Sequence, residues 1–201
     1  MKFTSRAGEM SRRAVTGVTR TALLALIVGS GEAIAQARPP ANVQTATAEF
    51  QERLRQYIDL RIELSKKLKP LTLTPSPTEL SERQTALAAA IRSARATAVP
   101  GDVIPPSAAA AIRAAVLEDL MRRTASDERA VRSETPGTGR PVVNRTYPSD
   151  WARATVPPLL LMNLPRLPDN LQYRFYGRYL ILLDTDVQVI LDYVPNVLPP
   201  Q

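Results

Sequence analysis

Three aspartates are the side chains best suited by type and spacing to do chemistry: Asp184 and Asp186 in the stretch LLDTDVQVILDYV, residues 182–194, and Asp192 six residues on from Asp186. An Asp-x-Asp pair can hold a hard cation such as Ca²⁺ or Mg²⁺ through oxygen, and a third carboxylate would suit metal-assisted hydrolysis. The same residues also suit a turn, because aspartate carboxylates bond nearby backbone amides. The turn reading is preferred. An Asp-x-Asp site of the sugar-nucleotide kind needs a nucleotide-binding α/β domain, and nothing in the sequence resembles one. Strand parity places Asp192 on one face with Gln188 and Ile190, so it meets the turn only if the strand bends.

A second grouping is Arg174, Tyr176 and Arg178, which share parity on or near a strand. They offer a possible binding face for an anion or a partner, since a guanidinium presents a planar fork to carboxylates. A solvated sheet face is the plainer reading. Trp151, beside a proline-rich run, is expected as a packing anchor. Asn144-Arg145-Thr146 matches a glycosylation sequon by chance, and Ser65-Lys66 diverge on a helix and make no dyad. The glycines form no phosphate-cradling loop.

Composition removes other chemistries. With no cysteine and no histidine, the chain has no disulfide, no thiolate nucleophile, no Cys/His zinc site, no histidine-held haem and no histidine base for a serine triad. No catalytic residue, cofactor or metal is assigned, and the reading leans away from an enzyme. The net charge is +7, of which five basic and two acidic residues in 1–37 contribute +3, leaving +4. The arginines are dispersed among acids rather than gathered with aromatics, so nucleic acid is not expected as a partner.

The elements that would position these residues follow a basic leader. Residues 1–20 are basic, TALLALIV (21–28) is a short apolar core, and Ala35-Gln36-Ala37 has the small-x-small form of a signal-peptidase site. A cleaved signal peptide over 1–37 is expected, with Arg38 as the mature N-terminus. Ala33-Ile34-Ala35 offers an alternative cut, and Arg12-Arg13 faintly resembles a twin-arginine signal. The apolar run is too short to span a bilayer, so no membrane span is expected after cleavage. The destination is the periplasm or the exterior.

Residues 38–201 are expected to form a single domain. Helices are predicted over 44–68, with Phe50, Leu54, Tyr57, Ile58, Ile62, Leu64 and Leu68 on the apolar stripe, over 77–98, and over 108–123 with Ser107 as N-cap. The polar run from Thr124 extends the third helix or frays. Residues 134–150 are expected as a flexible loop, and PPLLLMNLPRLPDN as an extended segment, because its prolines break a helix. A three-stranded meander is predicted at about 172–176, 179–183 and 187–194, turning at Gly177 and at Asp184-Thr185-Asp186. The fold class is therefore α+β, a three-helix N-terminal region packed with a small C-terminal antiparallel β-meander.

The order of these pieces resembles an uncharacterised family of exported bacterial proteins. The resemblance rests on Tyr57-Ile58-Asp59-Leu60, Gln84-Thr85-Ala86-Leu87-Ala88, Gly101-Asp102-Val103-Ile104 and the tail YRFYGRYLIL, Tyr173 to Leu182. It spans most of residues 48–198 and implies export and domain layout, with no activity and no catalytic residue to carry over. The function expected is that of a non-enzymatic periplasmic protein-interaction or structural module, with another envelope protein as partner. The alternatives are a small-ligand or envelope-polymer binding module at Arg174, Tyr176 and Arg178, and a carboxylate-dependent metal hydrolase.

Overall fold

The computed structural model describes residues 41–133, 135, 137, 139–149, 151 and 156–198. The expected signal peptide and its cleavage site lie outside these residues, as do parts of the 134–150 loop.

The first helix, α1 (Ala41–Lys66), buries Phe50, Leu54 and Tyr57, spaced four and three apart, while Ile62 is exposed at its far end. Its polar face carries pairs such as Glu49–Arg53 at 2.7 Å, worth only a few tenths of a kcal/mol each. Pro70 follows its end, and its last turn tightens through Lys67 N–H to Leu64 O and Leu68 N–H to Ser65 O, both 3.2 Å. Arg83 reaches across from the next helix to Ser65 O at 3.1 Å and to Lys69 O, a cation on the negative end of α1.

That next helix, α2 (Pro77–Ala94), opens with proline at its first position and with Ser76 Oγ accepting from Glu79 N–H at 3.1 Å. It buries Leu87, Ala88 and Ile91 and stops four residues before the expected end at Ala98. The third helix, α3 (Pro106–Met121), starts at Pro106 with no side-chain cap. Ser107 is thus not the cap. It lies inside the first turn, where its hydroxyl meets Glu49 at 3.4 Å. The polar run after α3 forms a separate helix, α4 (Ala125–Ser133), because Thr124 Oγ1 accepts from Asp127 N–H at 3.2 Å and donates to the Asp127 carboxylate at 2.8 Å. The proline-rich run is not wholly extended: Pro158–Leu161 make one helical turn, α5, with proline at the tolerated first position.

Strands β1 (Leu171–Tyr176), β2 (Tyr179–Asp184) and β3 (Val189–Val194) form an antiparallel meander in the order β1-β2-β3. The fold is α+β, as expected. The β1–β2 turn needs Gly177, which has φ +52°, and a Cβ there would collide with Gly137 O. Helices pack on one sheet face, in a core that joins Phe50, Leu54, Ile91, Ile112 and Val116 to Phe175, Leu180, Leu182 and Val194.

The other face carries Tyr176, Ile181, Leu183, Ile190 and Tyr193 and is closed by Val143, Tyr147 and Trp151. Residues 139–149 are therefore irregular but packed against this face. Asn144 N–H bonds Ile190 O at 2.8 Å, Ile190 N–H bonds Arg145 O at 2.9 Å and Tyr147 N–H bonds Gln188 O at 2.7 Å, so the segment pairs with the outer edge of β3. An exposed strand edge invites pairing with other chains, and this one is occupied.

Candidate functional site

The aspartates of the β2–β3 region do not converge. Asp184 ends β2 and is fully buried. Its Oδ2 accepts from Tyr57 Oη at 2.6 Å and from Arg61 Nε at 3.0 Å, and its Oδ1 accepts from the amides of Asp186 at 3.1 Å and Val187 at 3.3 Å. The last two bonds are the turn chemistry expected from sequence. The first two tie the turn to α1. Burial, followed by the charge of Asp184, drives the Tyr57 phenol far above its ordinary pKa, which keeps it a proton donor. Arg61 also pairs with the half-exposed Asp186.

Asp192, equally buried, faces the opposite way from the sequence expectation. Leu182 pairs with Asp192 but Leu183 pairs with Ile190, so Leu191 is an extra residue in β3. Such a bulge reverses the alternation of side chains beyond it. Leu191 and Val194 both join the helix-side core while Ile190 and Tyr193 join the other face. Asp192 thereby turns to the helices, away from Ile190. Its carboxylate accepts from the amides of Gly101 at 3.0 Å, Val103 at 2.9 Å and Ile104 at 2.8 Å, and from its neighbour Tyr193 at 2.8 Å. Burial raises its pKa above the usual carboxylate range, while these four amides act in the opposite sense. Gly101-Asp102-Val103-Ile104 is the turn leading into α3, so Asp192 anchors α3 to the sheet as Asp184 anchors α1.

Arg95 lies between the two clasps. Its guanidinium sits 5.6 Å from the centroid of the Tyr57 ring, and Nη2 donates to Leu191 O at 3.0 Å. Both carboxylate oxygens of Asp184 and both of Asp192 already accept protein donors. Among the described residues no three acidic side chains are grouped so as to hold a metal ion. The seam has the chemistry of a fastening.

Arg174, Tyr176 and Arg178 are separated in use. Tyr176 is buried and stacks on Trp151, with ring centroids 3.6 Å apart at 10°. Arg174 lies over the Tyr147 ring at 5.4 Å. Arg178, in the hairpin turn, donates to Leu198 O at 3.1 Å and holds the C-terminal segment. Arg174 and Tyr176 do share a face, but the covering segment occupies it, and Trp151 is the packing anchor expected.

Two surfaces were not resolved to their residues by sequence reasoning, although the apolar proline-rich segment was itself a docking candidate. One is the α5 turn: Leu160 is buried, while Leu159, Leu161 and Met162 are 71%, 49% and 81% exposed. A cavity of about 330 Å³ adjoins it, bordered by Leu161, Pro165, Leu167, Pro168, Leu171 and Tyr173. The apolar run LLLM was the available signal, but one helical turn inside a proline-rich stretch hides which residues point outward. The other is a polar concavity between the end of α2 and residues 143–146. Its residues lie some fifty positions apart in the chain, so no local pattern could join them.

Among the described residues, no helix is long and apolar enough to cross a membrane. No protein-family model matches the chain, and no curated protein or solved structure matches it.

Proposed function

We propose that this chain is an exported, non-enzymatic protein-interaction module that docks a partner protein of the envelope on its α5 surface. The observation that carries the reading is the outward Leu159, Leu161 and Met162, presented on a turn pinned from below by Leu160 and Leu164. Contiguous apolar surface of this kind, beside a groove, is characteristic of protein contacts. Glu118, Asp119, Arg122, Arg123 and Asp127 line the cleft on the other side of Leu159 and Met162, giving the apolar centre a charged rim. Export rests on the basic leader, the short apolar core and the Ala35-Gln36-Ala37 site, together with the resemblance to exported bacterial proteins.

The test is a crosslinking pull-down from the native host that compares the wild-type chain with Leu159→Glu/Met162→Glu. A partner captured by the wild type and lost by the variant, at unchanged melting temperature, supports the reading. A partner retained by the variant, or a wild-type bait that captures nothing, overturns it.

A further inference from the structure

We infer that the concavity formed by Arg92, Asn144, Arg145 and Thr146 binds an oxyanion of the phosphate class. The cavity is about 670 Å³, is completed by Ala96, Ala98 and Val143, and has no carboxylate in its lining. Arg92 comes from the last turn of α2 and Arg145 from the segment paired with β3. Arg92 Nη1 donates to Thr146 Oγ1 at 2.6 Å, which holds the guanidinium in place and leaves its other nitrogens and the threonine hydrogen free to donate. The Arg145 side chain makes no ion pair among the described residues.

Charge distribution singles this site out. Arg53, Arg55, Arg61, Arg122 and Arg123 all pair with carboxylates. Arg92 and Arg145 instead pair with no carboxylate among the described residues. The negative end of α2 would by itself repel an anion. Asn144 counters this: its Nδ2 donates to Arg92 O and Arg95 O, both at 2.8 Å, and occupies those carbonyls. Asn144 adopts φ +64° to do so, in the left-handed region that asparagine tolerates better than most side chains. Two arginines from separate segments and a threonine hydroxyl line one concavity, and such a donor set matches the several equivalent oxygens of a phosphate group better than the two of a carboxylate.

This inference does not rest on the docking reading, and Leu159→Glu should leave it untouched. The test is an amide-shift titration of the full chain with inorganic pyrophosphate, beside co-sedimentation with phosphatidylglycerol vesicles against phosphatidylcholine controls. The expected result is a saturable, salt-sensitive response of residues 92–98 and 143–147 to pyrophosphate, or binding to the anionic vesicles alone. The first outcome identifies a soluble phosphate and the second a lipid headgroup. In either arm Arg145→Ala should weaken binding by about tenfold, the loss of one charge-assisted contact. Arg113→Ala, which removes the same charge elsewhere, should not. No binding in either arm, equal binding by Arg145→Ala, or an equal loss in Arg113→Ala overturns the inference.

Discussion

The two faces of the sheet are closed by different physics. On the helix side, two buried carboxylates reach out of the strands, and each finds donors on a different helical element: Tyr57 and Arg61 of α1 for Asp184, the amides ahead of α3 for Asp192. On the other side an irregular segment lies over aromatic rings, and the arginines of β1 and its turn, Arg174 and Arg178, find a ring face and a carbonyl rather than carboxylates. Apolar burial contributes to both sides without direction, whereas each carboxylate accepts bonds only where donors are placed. The difference teaches that orientation of the helices on the sheet is specified by charge, and closure of the outer face by stacking and edge pairing.

Substitutions can separate these contributions. The largest effect is expected for Asp192→Ala, which strands the amides of Gly101, Val103 and Ile104 in the core. A loss of about 3–5 kcal/mol, measured by urea unfolding, follows from removing one side of a buried charged network. A loss near that of an ordinary surface mutation would erase the contrast between the faces. On the outer face, Trp151→Ala removes the stack on Tyr176 and the edge contact with Tyr147. Because Trp151 is only half-buried, about 2 kcal/mol is expected, less than the 3–5 typical of a core aromatic. Native-state hydrogen exchange should then show the amides of Asn144 and Tyr147 opening first. Tyr57→Phe leaves Asp184 with Arg61 and two amides, so about 1–2 kcal/mol is expected in the same unfolding assay. The smallest effect belongs to Leu159→Ser, which touches neither face. Its melting temperature should match the wild type, within the ±0.5 kcal/mol or so usual at exposed sites.

Periodic elements were legible. The spacing of Phe50, Leu54 and Tyr57 gave α1, and the aromatic and β-branched runs gave all three strands to within two residues. The turn role of Asp184 was legible too, because its amide partners lie two and three residues away. Its bonds to α1 were not, since they join residues far apart in the chain. Asp192 was misjudged for a sharper reason. Parity counting assumes regular pairing, and the extra residue Leu191 in β3 reverses the count. The covering role of residues 139–149 and Trp151 was hidden because edge pairing leaves no periodic trace in an irregular segment.

The bond from Tyr57 to Asp184 spans 127 positions, and the one from Ile104 to Asp192 spans 88. In both bonds the donor precedes its acceptor in the chain. During synthesis α1, α2 and the turn before α3 are therefore complete long before their acceptors exist, and they wait with apolar faces and donors unmatched. Contacts of such sequence separation form late, after the entropy of closing the intervening chain has been overcome. The final hairpin acts as the keystone of the domain, and a chain clipped before β2 would lack both acceptors and be left as unclasped helices rather than as a smaller version of the same fold.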